Sequence, residues 1–204
     1  MGLDFDRIIV ASHNEGKVRE IRDLLRPYGL NVQSAAELGL PDVEETGATF
    51  IANAELKSIA AAKAAGLPAL SDDSGLAVDA LGGAPGIYSA RWTEEDGGAR
   101  NWALGMTRVQ EAMEKSGRTE TDAHFVCALS LAFPDGSART YVGKVHGHII
   151  WPARGNSGFG YDPIFLPQGF DQTFGEMDPD KKHAISHRAD AFTQLICAEF
   201  DSRL

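Results

Sequence analysis

"HFVCALSLAFPDGSARTYVGKVHGHII", residues 124–150, is the stretch on which the fold class turns. An apolar run at 124–133 is followed by the turn-forming "PDGS" and then by a second run rich in β-branched and aromatic residues at 138–150. That spacing predicts a β-hairpin, so the sheet contains an antiparallel part. Upstream the pattern differs. "RIIVAS" (7–12) reads as a buried strand, and Val18, Ile21, Leu24, Leu25 and Tyr28 then recur at three- and four-residue spacing, which predicts a helix from 15 to about 28. "LNVQSA" (30–35) supplies a second strand. Thr49 is placed to cap an alanine-rich helix running to Ala65, with Gly66 and Pro68 at its exit, and "PALSD" (68–72) reads as the next strand. Trp102, Leu104, Met106, Val109 and Met113 predict a helix over 100–115, "IFLP" a short apolar run after a glycine-rich loop, and the last helix spans roughly 186–200. Strands alternating with helices early and pairing as a hairpin later predict an α/β fold in one domain over 1–204: a mixed parallel and antiparallel sheet flanked by helices.

The composition sets limits on function. With 43% apolar and 24% charged residues, the 204-residue chain can bury a substantial core. Its 19 basic and 29 acidic residues leave a net charge of −10, which repels a polyanion over most of the surface and argues against a nucleic-acid scaffold. A small anionic ligand held by a few focused lysines is compatible with that charge. Cys127 and Cys197 both read as buried thiols in a reducing compartment. No stretch approaches 18 apolar residues and the first residues lack a signal-peptide core, which predicts a cytoplasmic protein without a membrane partner. The "SRL" at 202–204 is too short to count as a peroxisomal address.

Four polar clusters interrupt the scaffold: "SHNEGK" (12–17), "EETGATFIANAELK" (44–57), "SDDSG" (71–75), and the late pair "GFGYDP" (158–163) and "KHAISHR" (182–188). Each lies where elements begin or end, the usual location of sites. In the first, a strand ends at Ser12 and a helix starts near Glu15, so backbone N–H groups at the helix start, with Lys17, are placed to face an anion; a capping turn with a surface lysine is the alternative. The segment lacks the P-loop pattern. Glu44, Glu45, Asp72 and Asp73 come from two strand-adjacent loops, and hard oxygen donors of this kind suit Mg²⁺. Asp72 and Asp73 are adjacent and repel, so something positive, or water, is expected beside them; solvated loop charge is the competing reading. "GFGYDP" is no dinucleotide fingerprint, and the six histidines make no zinc pattern.

Together, "SHNEGKVREI", "EETGATFIANAELK", "SDDSGLAVDALGGAPGIYSARW", "GFGYDPIF" and "KHAISHRADAF" resemble the inosine/xanthosine triphosphate pyrophosphatase family, in order and over nearly the whole chain. The resemblance implies hydrolysis of ITP, dITP or XTP to the monophosphate and pyrophosphate. It further implies an elongated mixed sheet with helices, two lobes with a central cleft, a Mg²⁺ cofactor and a homodimer. Ser12, Asn14 and Lys17 match the family's phosphate-binding (S/T)xNxxK segment, which makes His13, Glu15 and Gly16 candidate substrate neighbours. His13 occupies a variable position of that motif. Glu44 and Glu45 match the acidic pair that helps hold Mg²⁺, and Lys57 matches a phosphate-contacting lysine. Asp73 matches the general base and metal-associated carboxylate, with Asp72 beside it and Ser74 touching substrate. Phe159, Gly160, Tyr161 and Asp162 match the loop that orients the purine, and Lys182, His187 and Arg188 match the base-recognition group. A pyrophosphatase acting on pyrimidine or modified nucleotides, or a nucleotide sensor without catalysis, is the alternative.

Overall fold

The computed structural model describes residues 5–95 and 98–200; the "SRL" segment lies outside them. Six strands form one sheet in the order β2-β1-β3-β4-β5-β6, and the chain clusters into two compact units, each with its own core. Unit 1 comprises residues 1–73, 127–143 and 190–204; unit 2 comprises 74–126 and 144–189.

In unit 1, β1 (Arg7–Val10) pairs in parallel with β2 (Asn31–Ser34) and with the first residues of β3 (Ala69–Val78), Ile9 opposite Ala69 and Val10 opposite Leu70. The parallel pairing requires crossovers, which α1 (Glu15–Leu25) and α2 (Phe50–Ala65) supply. The two-residue period of β1 divides the core. Ile8 and Val10 join the α1 residues Val18, Ile21 and Leu25 and Phe192, Leu195 and Ile196 of α5 (His187–Glu199), whereas Ile9 and Ala11 meet Ala61 and Ala62 of α2. Thr49 caps α2 through the Ala52 N–H, 3.1 Å from its hydroxyl, and Gly66 closes the helix in the left-handed conformation. Both ends agree with the sequence reading.

β4 (Asp122–Ala132) and β5 (Ala138–Ile149) form the expected hairpin, closed at the turn by the Phe133 N–H on the Ser137 carbonyl at 2.9 Å. In unit 2, β5 pairs antiparallel with β6 (Phe165–Pro167), and α3 (Trp102–Ser116) contributes Val109 to a core of Leu76, Val78, Phe125, Phe165 and Phe174. Three features depart from expectation. β3 does not end at Asp72 but continues through "SDDSG" to Val78, so Asp73 as well as Asp72 sits inside a strand and not in a loop. A seven-residue helix, α4 (Pro179–Ile185), opens on an Asp178 cap and Pro179. Cys127 is buried, but Cys197 is exposed on α5 because the buried face of that helix is set by Phe192, Leu195 and Ile196.

Candidate active site

The pleat of β3 resolves the clash between neighbouring carboxylates. Successive strand residues face opposite sides of a sheet, so Asp72 and Asp73 diverge, and each meets its own lysine. Asp72 Oδ1 lies 2.6 Å from Lys17 Nζ, and its Oδ2 accepts from the Cys127 thiol at 3.1 Å. Asp73 Oδ1 lies 3.3 Å from Lys57 Nζ, which also sits 2.6 Å from Glu45 Oε1 and donates to the Asp72 carbonyl at 3.1 Å. Two ammonium groups, one for each carboxylate, supply positive charge of the kind expected beside the pair.

The elements fix this arrangement. Asn14 is the α1 cap: its Oδ1 accepts the Gly16 and Lys17 N–H groups at 3.0 and 3.2 Å, and Ser12 Oγ accepts the Asn14 N–H at 3.1 Å. The Gly16 and Lys17 N–H groups are thus engaged by the cap, the capping turn that the sequence also offered. What the turn delivers is Lys17, one residue into the helix past Gly16. Glu15, at the first position of α1, is exposed. His13 Nε2 lies 3.0 Å from the Leu40 carbonyl and Nδ1 3.4 Å from Asp42 Oδ1, so it braces the segment leading to the acidic pair. That segment folds over the start of α2 at Gly47, whose N–H donates to Asn53 Oδ1 at 2.8 Å; a Cβ there would stand 2.6 Å from the same oxygen. Glu45 is brought to Lys57, while Glu44 is exposed.

Electrostatics single out Asp73. Burial pushes its pKa up, against the opposing pull of Lys57 and Lys17. Its Oδ2 is buried and has no hydrogen-bond partner. Burial works against the charge of Lys57, but Asp73, Glu45 and Asp72 together outweigh it and raise its pKa, so Lys57 stays cationic. Among the described residues no three of His, Cys, Asp and Glu converge to hold a metal on their own. Glu45 and Asp73 stand on either side of one ammonium.

Unit 2 holds the second group. Asp162 is buried, and its Oδ2 accepts from Lys182 Nζ at 2.6 Å and from the Phe159 N–H at 2.8 Å. This carboxylate shapes the "GFGYDP" loop, and Gly158 is required there: its φ is +77° and a Cβ would lie 2.1 Å from Asp162 Oδ2. Phe159 keeps 37% of its surface exposed, with Lys182 Nζ 5.0 Å from its ring centre. Gly160, also at positive φ, passes Trp102. Tyr161 is a core residue, 2% exposed, whose hydroxyl donates to the Ser89 carbonyl at 2.8 Å; burial raises its pKa, so it stays a phenol. His187 stacks on Phe125, ring centres 5.0 Å apart and planes 14° from parallel. Arg188, buried, donates to Ser74 Oγ at 3.3 Å. Ser186, whose hydroxyl accepts the Ala189 N–H at 3.1 Å, caps the helix that carries both side chains.

Sequence reasoning passed over Cys127 as a partner of Asp72 and Ser186 as the cap of α5. The first left no signal, since a cysteine in an alternating apolar run reads as core. The second was legible as a Ser just before the apolar periodicity of the last helix.

The model of the Ham1 family matches residues 8–198. A dITP/XTP pyrophosphatase of Mesorhizobium japonicum is 51% identical over 210 residues, covering 98% of this chain and 96% of its own length. One of Rhodospirillum centenum is 56% identical over 196 residues, covering 96% and 95%. Among solved structures, a HAM1 protein from Coxiella burnetii superposes with a TM-score of 0.88 at 39% identity, covering 95% of this chain and 98% of that one. With a fold shared with that solved structure, a family model matched over residues 8–198 and relatives of this identity along nearly its whole length, the chain belongs to the Ham1 family.

Proposed function

We propose that the protein hydrolyses non-canonical purine nucleoside triphosphates such as ITP, dITP and XTP to the monophosphate and pyrophosphate, with Mg²⁺, as a cytoplasmic homodimer. The observation that carries this reading is the buried Asp73 carboxylate, held up in pKa, with one oxygen unpartnered and the other on Lys57. The family membership supports it, because the curated relatives above bear the name dITP/XTP pyrophosphatase. No helix among the described residues is long and apolar enough to cross a membrane.

The donor set fits Mg²⁺: an orphaned carboxylate oxygen on Asp73 and a neighbouring Glu45 are the one or two hard oxygens such an ion takes before phosphate and water complete it. Asp73 and Glu45 would hold it, with Glu44 next along the chain; when bound, it supplies charge neutralisation on phosphate oxygens. Lys17 and Lys57 grip the polyphosphate. Asp73 takes a proton from the attacking water, whose oxygen bonds to the α-phosphorus as the bond to the bridging oxygen breaks and pyrophosphate leaves. The two lysines spread the charge that develops on that leaving group. As the resemblance implies, Phe159 offers a ring face to the purine, and His187 and Arg188 offer donors to a 6-oxo group. Adenine presents an amino group there and leaves a buried donor unpaired, which costs about 1–3 kcal/mol, or roughly ten- to a hundredfold.

The deciding experiment is a panel of triphosphates, ITP, dITP, XTP, GTP, ATP and the pyrimidines, assayed for pyrophosphate release with Mg²⁺. The proposal requires the first three to be preferred. Preference for a pyrimidine, or binding of ITP without turnover, would replace it with one of its rivals.

A further inference from the structure

We propose that Cys127 is a positioning residue for Lys17, acting through Asp72, and that Asp72 serves this lysine and not a metal ion. The inference rests on the polyphosphate reading above. Asp72 has 0% of its side chain exposed, and both oxygens are engaged: Oδ1 with Lys17 Nζ at 2.6 Å, Oδ2 with Cys127 Sγ at 3.1 Å. Cys127 is itself fully buried on β4 among the apolar residues of the unit 1 core. A carboxylate withdrawn from water stays ionised and oriented only where donors meet its oxygens. Turning the group about its Cβ–Cγ bond would break the thiol contact, so the thiol fixes the direction in which Oδ1 is offered.

The choice of a thiol matters. It is a weak neutral donor, so it anchors one oxygen without cancelling the charge that Lys17 requires. The lysine stem is long and its ammonium has three donors; holding one of them on a fixed oxygen leaves the others aimed, at reduced entropic cost, for phosphate oxygens. Asp73 differs in every respect that counts, with an unpartnered Oδ2 and a lysine shared with Glu45. The adjacent aspartates thus divide the work. Asp73 faces the chemistry and Asp72 faces the machinery that holds Lys17 in place.

The test uses the full-length protein and the substitutions Cys127→Ala, Cys127→Ser and Lys17→Ala, with the Cys127→Ala/Lys17→Ala double variant. Two quantities are read: kcat/KM for pyrophosphate release from ITP, and the calorimetric Kd for inorganic tripolyphosphate without added metal. Cys127→Ala is expected to lower both affinity and kcat/KM about five- to tenfold, Cys127→Ser to recover to within about twofold, and Cys127→Ala to cost less than about twofold once Lys17 is gone. Parental behaviour of Cys127→Ala, equal loss in the Ser and Ala variants, or an unchanged loss without Lys17 would each overturn the proposal. Should Cys127→Ala fail to fold, Cys127→Val keeps the volume without the donor and is judged by the same criteria. A parent that binds tripolyphosphate yet releases no pyrophosphate from ITP sinks the catalytic reading, and the binding arm alone then decides this one.

Discussion

Two neighbouring aspartates, chemically identical, end in different environments because a strand alternates its side chains. Asp72 is clasped by Lys17 and Cys127; Asp73 is buried with an oxygen to spare. The difference gives a prediction at this scale. Asp73→Asn keeps the shape, removes the proton acceptor and is expected to lower kcat for ITP by about 10²- to 10⁴-fold. Its melting temperature should equal or exceed that of the parent, because a charge that burial disfavours is gone. Pyrophosphate release and thermal denaturation of the same preparation check both halves; a folded variant with near-parental turnover would remove Asp73 from the reaction.

Among the elements, α2 shows how a loop is aimed. Gly47 lets the acidic segment pass so close to Asn53 that any side chain would collide with its amide oxygen. Gly47→Ala is therefore expected to displace Glu45, destabilise the protein by about 1–3 kcal/mol and raise the Mg²⁺ concentration for half-maximal activity several-fold. Denaturant unfolding and a magnesium titration measure the two effects, and unchanged values would show that the loop yields freely. Elements whose local signals agree were legible in the sequence: α2 from Thr49 to Gly66, α1 with its apolar stripe, and the β4–β5 hairpin with its turn. The course of β3 past Asp72 was not, since aspartate and glycine are poor strand formers and partners arriving from elsewhere in the fold, Lys17, Lys57 and Cys127 among them, make the burial of both carboxylates tolerable. Helix α4 escaped because seven residues are too few for a periodicity, although Asp178 and Pro179 mark its start. For the candidate site, the side chains that the structure brings together were named in the motifs; their pairing was not legible, because Lys17 meets Asp72 and Lys57 meets Asp73 through tertiary packing that no spacing along the chain records.

For the whole molecule, each unit carries an independent core, so global stability also depends on groups remote from the motifs. His124 on β4 in unit 2 has its pKa lowered, first by burial and then by Lys144, with His146 adding to the shift and Asp79 opposing it. In the unfolded chain it takes a proton near pH 6.5, before the folded form does. Its contribution to stability is thus complete above that pH and is lost as the pH falls from there toward the lower folded value. The melting temperature of the parent should accordingly drop more steeply between pH 7.5 and 5.5 than that of His124→Gln, by about 1–3 °C. Parallel curves would mean that His124 titrates alike in both states.

The chain has two sulfhydryls in contrasting surroundings, Cys197 on the outer face of α5 and Cys127 sealed inside unit 1. A maleimide dye added to the native protein therefore attaches at a single address on the last helix, away from Lys17 and Asp73 in sequence and without any engineered handle. Fluorescence from that one tag can follow unfolding in real time, and the late appearance of a second reactive group would time the moment at which the interior opens.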